Sequence, residues 1–597
     1  MLSLLSTALF AAAAVINAQS TAPVVSIQQG TVQGFTNGSL TQFLGIPFAA
    51  PPVGLLRLNL PAPAPPFNGT FQALSKGPAC PQQSGAVSPA FTAFINNPVL
   101  NILAVLTSVI GNLFSLLGLG SSTAPAAPEP QEDCLTLDIV LPAGTTASSN
   151  LPVLFWIYGG GFQFGSTRDN DGTTVVSRSI QLGEPVIYVA ANYRLNAFGF
   201  LGGKEVKAAG IGNLGLQDQR AAMRWVRQNI ASFGGDPAKV TTWGGSAGSV
   251  SVALHMVTNG GDAEGLFRGA VMESGSVIPT QDITAGQPYY DSIVNQTGCA
   301  NASDTLVCLR TVPYQTLLDA VNQTPSVFSY MSLRLAVCWR RENIPRYEII
   351  FMQIPFINGD VDDEGTLFSL SNSNITTSNE TLAYIKQFWF PAASDDQIST
   401  IGTLYPDDPS MGSPFNTGIL NALTPEYKRL AAFQGDAFFH APRRNMLNAT
   451  DGAAPHWSYL YVRGKAAPIL GASHGTDVAG QSLFPSPLLY TFPCFSEAHT
   501  ALQNGSAPPG GLLNLPGDFQ GTDYLLNFAN NLDPNVFSNP SAAAAAMSST
   551  IFWPQYTAAN GTLLTFQDGL VPLALTRDDF RSAPIAFLEA LSRQFPW

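Results

Sequence analysis

Short apolar runs alternate with amphipathic stretches along much of this chain. The segments "LPVLFWIYGGGF" (151–162) and "PVIYVAANYRL" (185–195) are rich in β-branched and aromatic residues, which predicts strands buried on both faces. "VVSIQQGTVQGF" (24–35) alternates apolar and polar positions and predicts a hairpin strand. Between 214 and 237, Leu216, Ala222, Trp225, Val226, Ile230 and Phe233 recur at helical spacing until Gly234 and Gly235 end the run. A strand over 240–243 and a helix over 249–257 follow. This order predicts βαβ units and an α/β fold, with a mostly parallel twisted sheet covered by helices on both faces.

Other segments break that pattern. "MLSLLSTALFAAAAVINAQS" opens the chain with an apolar run closed by Asn17 and Ala18, which predicts a signal peptide over 1–18 and secretion. Residues 85–130 carry "NPVLNILAVLTSVIGNLFSLLGLG", long enough for a membrane span, yet Asn101, Ser108, Asn112 and Ser115 draw a narrow polar stripe. An amphipathic flap is expected there, inserted into one domain over 19–597; a helix buried in the core is the alternative. The stretches 332–353 and 488–511 lack a clean period, and the first concentrates Arg334, Arg340, Arg341 and Arg346.

Composition narrows the function. Charged residues make up 11% of 597 and apolar ones 45%, with a net charge of −13, so a basic face for nucleic acid is not expected. Asn-x-Ser/Thr sequons at Asn37, Asn68, Asn295, Asn301, Asn322, Asn374, Asn379, Asn448, Asn504 and Asn560 agree with secretion and glycosylation. Cys80, Cys134, Cys299, Cys308, Cys338 and Cys494 allow fifteen full pairings, of which the short loop 299–308 is attractive. Neither Cys-x-x-Cys nor a Cys/His cluster is present, so no metal and no cofactor are expected.

The candidate chemistry begins at "VTTWGGSAGSVSVALH" (240–255). Chance alone gives roughly 0.4 matches to Gly-x-Ser-x-Gly in a chain this rich in glycine, and a second match, "GASHG", stands at 471–475. Context separates them. Ser246 follows a predicted strand and precedes a predicted helix, the setting of a nucleophile elbow, in which Ala247 N–H faces an oxyanion. Such a serine needs a base, and the base needs an acid. His255 lies too far down its helix to reach back, and His440, His456 and His499 have no distinct turn signature. His474, in a Gly-rich loop after the strand expected at 459–462, is the best base. "INGDVDDEGTLFS" offers Asp360, Asp362, Asp363 and Glu364 as acids, and chemistry alone does not choose among them. "WIYGGGFQFG" (156–165) supplies a glycine-rich oxyanion loop.

Together, "FLGIPFAAPPVGLLRL", "EDCLTLDIVLP", "WIYGGGFQFGS", "NYRLNAFGFL", "GNLGLQDQRAAMRWVRQNIASFGGDPAKVTTWGGSAG", "LFRGAVMESGS", "DEGTLF" and "HGTDV" resemble the type-B carboxylesterase and lipase family of the α/β-hydrolase fold. That family includes cholinesterases, fungal lipases and sterol esterases. The resemblance implies Ser246 as nucleophile, Glu364 as acid and His474 as base. It also implies oxyanion donors at Gly160, Gly161 and Ala247 and the bridges Cys80–Cys134 and Cys299–Cys308. The chain departs from the family at Gly245, where many relatives carry glutamate, and over 331–355 and 488–511. The implied activity is hydrolysis of carboxylic esters, lipid esters at a lipid–water interface among them; a short-chain carboxylesterase is the alternative. From a different class, the alternative is a catalytically silent, cholinesterase-like binding protein, or a product inactivated by the departures.

Overall fold

The segments read as buried strands form the middle of one sheet. In the computed structural model, which describes residues 22–84, 129–326, 351–481, 519–539 and 550–596, the strands run in chain order as follows. They are β1 (Val24–Ile27), β2 (Gly30–Gln33), β3 (Phe35–Asn37), β4 (Leu40–Pro47), β5 (Thr70–Gln72), β6 (Thr136–Pro142) and β7 (Leu151–Ile157). Then come β8 (Ile187–Ala191), β9 (Gly235–Gly245), β10 (Gly269–Glu273), β11 (Phe356–Val361), β12 (His456–Tyr461), β13 (Thr562–Phe566) and β14 (Leu573–Arg577). Eleven of them form a sheet in the order β14-β13-β12-β11-β10-β9-β7-β8-β6-β4-β3, and β1, β2 and β5 form a small separate sheet. Neighbours from β8 through to β13 pair in parallel, while β14, β6, β4 and β3 pair antiparallel at the two ends. This is the mostly parallel α/β sheet expected from the apolar runs, in the α/β-hydrolase architecture that the family resemblance implies.

Parallel strands need crossovers, and helices supply them. Helix α1 (Leu214–Asn229) leads into β9, and α2 (Ala247–Val257) leaves it. The helical period read as far as Phe233 changes character near its end: residues 230–233 tighten into a 3₁₀ turn, and Gly234 closes it at φ 88°. α2 begins two residues earlier than expected because the whole reversal happens at one residue, Ser246. The core under the strands is aromatic and β-branched, with Trp156 of β7 against Trp243 of β9 at 4.3 Å between rings. A second apolar cluster gathers Tyr290, Ile293, Cys299, Leu309 and Leu317 beside the main one, and the Cys299–Cys308 disulfide closes a nine-residue separation within it.

The other disulfide joins Cys80 to Cys134 across 54 residues. Arg57, itself buried, holds Glu132 at 2.5 Å beside that bridge. The expected signal peptide, nearly all of the expected flap, most of 332–353, the stretch 488–511, and Cys338 and Cys494 lie outside the described residues, as does Asn504. The remaining sequon asparagines are exposed or half-buried. Among the described residues no helix is long and apolar enough to cross a membrane.

Candidate active site

β9 ends at Gly245 and α2 starts at Ala247, so Ser246 alone turns the chain. Its backbone sits at φ 55°, ψ −124°, a conformation that a residue with a Cβ adopts only when its surroundings hold it. Here the Ser246 N–H donates to the Glu273 carbonyl of β10 at 2.8 Å, and its carbonyl accepts from Val250 N in α2 at 2.9 Å. The turn also demands close packing. A Cβ at Gly248 would overlap the Ile157 carbonyl oxygen, so only glycine lets the first turn of α2 settle against the end of β7.

His474 reaches the serine from a loop after β12. Its Nε2 lies 2.8 Å from Ser246 Oγ, and its Nδ1 lies 2.5 Å from Glu364 Oε2. With the ring proton on Nδ1, the imidazole donates to the carboxylate and accepts from the hydroxyl. Glu364 is buried, and its other oxygen accepts from Val361 N at 2.9 Å. Phe368 and Phe439 flank the imidazole, with ring centroids 5.1 and 4.7 Å away. These rings keep that side of the site apolar.

The four acids of "DVDDE" are buried and separated by their partners. Asp360 faces Arg443 at 2.9 Å and His440 at 3.0 Å. Burial pushes the Asp360 carboxyl up, but His440 and Arg443 outweigh it and hold it below the usual carboxylate range. Asp362 pairs with Lys465 and faces Arg581 at 3.8 Å. Asp363 bonds Lys465 at 2.6 Å, which leaves Glu364 facing the histidine. Among the other histidines, His255 is buried against Gln219 at 2.8 Å, and burial together with Arg220 lowers its pKa well below the ordinary value. His456 turns its Nδ1 to the Ala454 carbonyl at 2.9 Å, and His499 lies outside the described residues.

The glycine loop after β7 abuts the serine. A Cβ on Gly159 would stand 2.8 Å from Ser246 Cβ. Gly160 and Gly161 both take positive φ, 98° and 59°, and the Gly160 carbonyl accepts from Gln163 N and Phe164 N. Tyr158 and Tyr193 brace the loop through reciprocal hydroxyl-to-carbonyl bonds of 3.2 and 2.9 Å. Ala247, as the first residue of α2, has an N–H with no intrahelical acceptor. Backbone donors from two segments thus border Ser246.

Sequence reading passed over Asp477. It lies in a short helix, Thr476–Gln481, directly after the loop that carries His474. Its buried carboxyl accepts from the Tyr459 hydroxyl at 2.7 Å and from Ser274 at 3.3 Å. Burial and then the charge of Glu364 push it up to about 6. Its position three residues after His474 is the one signal the sequence offers. Among the described residues no group of His, Cys, Asp and Glu is arranged to hold a metal ion.

Comparison with known proteins agrees with this architecture. Residues 21–581 match the model of the carboxylesterase family. The chain is 39% identical over 568 residues to "Secreted lipase 1" of Botryotinia fuckeliana, covering 92% of this chain and 90% of that protein. It is 38% identical over 586 residues to "Secreted triacylglycerol lipase LIP1" of Gibberella zeae, covering 95% and 90%. The crystal structure of Aspergillus niger EstA superposes with a TM-score of 0.71 at 24% identity, over 96% of this chain and 98% of that one, a likeness of fold.

Proposed function

This chain belongs to the carboxylesterase family and is a carboxylic-ester hydrolase, and we propose that Ser246, His474 and Glu364 carry out the hydrolysis. The observation behind this reading is the continuous chain of hydrogen bonds from Ser246 Oγ through the imidazole to the buried Glu364, at 2.8 and 2.5 Å. As Oγ attacks the ester carbonyl carbon, its proton passes to His474 Nε2. Glu364 then stabilises the resulting imidazolium and holds the ring in its tautomer. The N–H groups of Gly160, Gly161 and Ala247 receive the negative charge that develops on the carbonyl oxygen. Collapse of the tetrahedral intermediate sends the alcohol away with the proton from Nε2 and leaves an acyl-enzyme. Water activated by the same imidazole attacks the acyl carbon, and the acid leaves as Oγ regains its proton.

The proposed substrates are esters with apolar acyl chains, lipid esters among them. The aromatic flank of Phe368 and Phe439 beside His474 and the relatives named as lipases support this reading. Secretion is part of the same proposal, supported by the apolar leader, the sequons and relatives named as secreted. Ser246→Ala tests the chemistry: hydrolysis of an activated short-chain ester is expected to vanish, and retained activity in the purified variant overturns the assignment. Rates on soluble and emulsified esters of rising acyl length test the substrate; a preference for short soluble esters, with no gain at an interface, favours the general esterase.

A further inference from the structure

The loop carrying Glu364 and the loop carrying His474 come from different crossovers, 110 residues apart in sequence. The bond between them tolerates displacements of only about 0.5 Å if the site is to stay productive. Glu364 is oriented within its own loop by Val361 N–H, which says nothing of where the histidine loop sits. Something else has to set one loop against the other.

Asp363 is in position to do so. It is fully buried, directly before Glu364, and its carboxylate collects four donors from three segments. Oδ1 accepts from Ser413 Oγ and Phe415 N, both at 2.9 Å. Oδ2 accepts from Ala472 N at 2.9 Å, two residues before His474, and from Lys465 Nζ at 2.6 Å. The Asp363 backbone N–H donates to the Ala472 carbonyl at 3.0 Å, and Asp363 and Ser473 form an isolated parallel bridge. Thr366 adds a stitch from the same side, its hydroxyl spanning the Asp363 and Leu470 carbonyls at 2.9 and 2.8 Å.

We propose that Asp363, with Lys465 as its counter-ion, is a positioning residue for hydrolysis: it clamps the histidine loop to the acid loop and so sets the Glu364–His474 contact. This rests on the triad reading above. Charge is essential to the clamp, because all four partners of the carboxylate are donors. The isosteric Asn cannot satisfy them all: with its oxygen toward Ala472 N–H and Lys465 its NH₂ meets Ser413 Oγ, which can accept, and Phe415 N–H, which cannot, and in the other orientation Ala472 N–H and Lys465 both lose their acceptor. Burial and the charge of Asp362 push the Asp363 carboxyl above its ordinary value, and Lys465 works against them.

The test compares wild-type and Asp363→Asn enzymes after a fluorophosphonate has titrated the reactive serines, so that turnover is counted per functional site. The clamp predicts a fall in kcat per titrated site of about tenfold or more, as for a misplaced catalytic group, with KM held and phosphonylation of Ser246 slowed in parallel. A purely structural role would lower the titratable fraction and Tm and leave turnover per site alone. A wild-type enzyme left unlabelled at Ser246 overturns the triad and the clamp with it. Labelling of wild type together with variant turnover within about twofold per site overturns the clamp alone. If Asp363→Asn does not fold, Lys465→Met decides the matter, since the lysine is partly exposed: a fall of about threefold or more per site supports the clamp, and unchanged turnover overturns it.

Discussion

Glu364 Oε2 stands 2.5 Å from His474 Nδ1, on the side of the imidazole opposite Ser246. A charged, buried acceptor at that point fixes the tautomer that leaves Nε2 free to take a proton. Glu364→Gln keeps the volume and presents either a neutral oxygen or an NH₂ to Nδ1. Turnover is expected to fall by about 10³-fold or more, in line with the loss of the acid in comparable triads, with KM for a short ester little changed. Steady-state kinetics on active-site-titrated enzyme checks this, and a loss below about tenfold would remove Glu364 from the triad.

Gly160 takes φ 98°, and a Cβ there would overlap the Phe164 carbonyl oxygen. Gly160→Ala therefore has to move the loop that borders Ser246. Loss of one oxyanion donor costs about 10²- to 10³-fold in turnover, and a fall of that size is expected with the Ser246–His474 pair left intact. Crystallography of the variant with a bound phosphonate checks whether the phosphoryl oxygen has lost its contact with the loop.

Gly245 is a position where the family resemblance implies glutamate, and in this chain it is closely packed. A Cβ at 245 would stand 3.1 Å from Val478 Cγ2, 3.3 Å from Trp156 Cη2 and 3.9 Å from the buried carboxylate of Glu273. Gly245→Glu thus brings a second carboxylate beside the buried Glu273. A loss of about 1–3 kcal/mol is expected. Adding Glu273→Gln should return part of it, and a double-mutant cycle by urea unfolding measures the coupling; a coupling of zero would mean the new side chain points elsewhere.

Much of this arrangement is legible along the chain, for local reasons. "LPVLFWI" and "IYVAA" announce buried strands because every residue in them is apolar or β-branched, and Gly234 announces the end of the helical run, closing the 3₁₀ turn after α1 in a left-handed conformation. The elbow is legible from Gly244 and Gly248 around Ser246. The choice among Asp360, Asp362, Asp363 and Glu364 is not. It is made by Arg443, Lys465, Arg581 and His474, 83 to more than 100 residues downstream, whose approach depends on how β11 and β12 pair. Local spacing carries no trace of those partners, and only the family resemblance selected Glu364. Asp477 escaped for the same reason: its environment is built by Tyr459 of β12 and by Ser274 just past the end of β10.

Asp477 makes stability depend on pH in a direction opposite to that of a salt-bridged carboxylate. Burial and the charge of Glu364 raise its pKa from 3.8 to about 6 in the folded protein. In the unfolded chain the group ionises near 4. As pH rises from 4, the unfolded state releases this proton first, so the native state loses stability until its own carboxyl ionises near 6, after which the curve is flat. The protonated form therefore contributes stability that is fully present below 4 and lost by about 7. Asp477→Asn removes the titration and keeps an oxygen for the Tyr459 hydroxyl. The stability of Asp477→Asn relative to wild type is expected to rise by about 2–3 kcal/mol between pH 4 and pH 7. Urea unfolding of both proteins across that range measures the change, and a difference that stays constant with pH would show that Asp477 ionises normally in the folded enzyme.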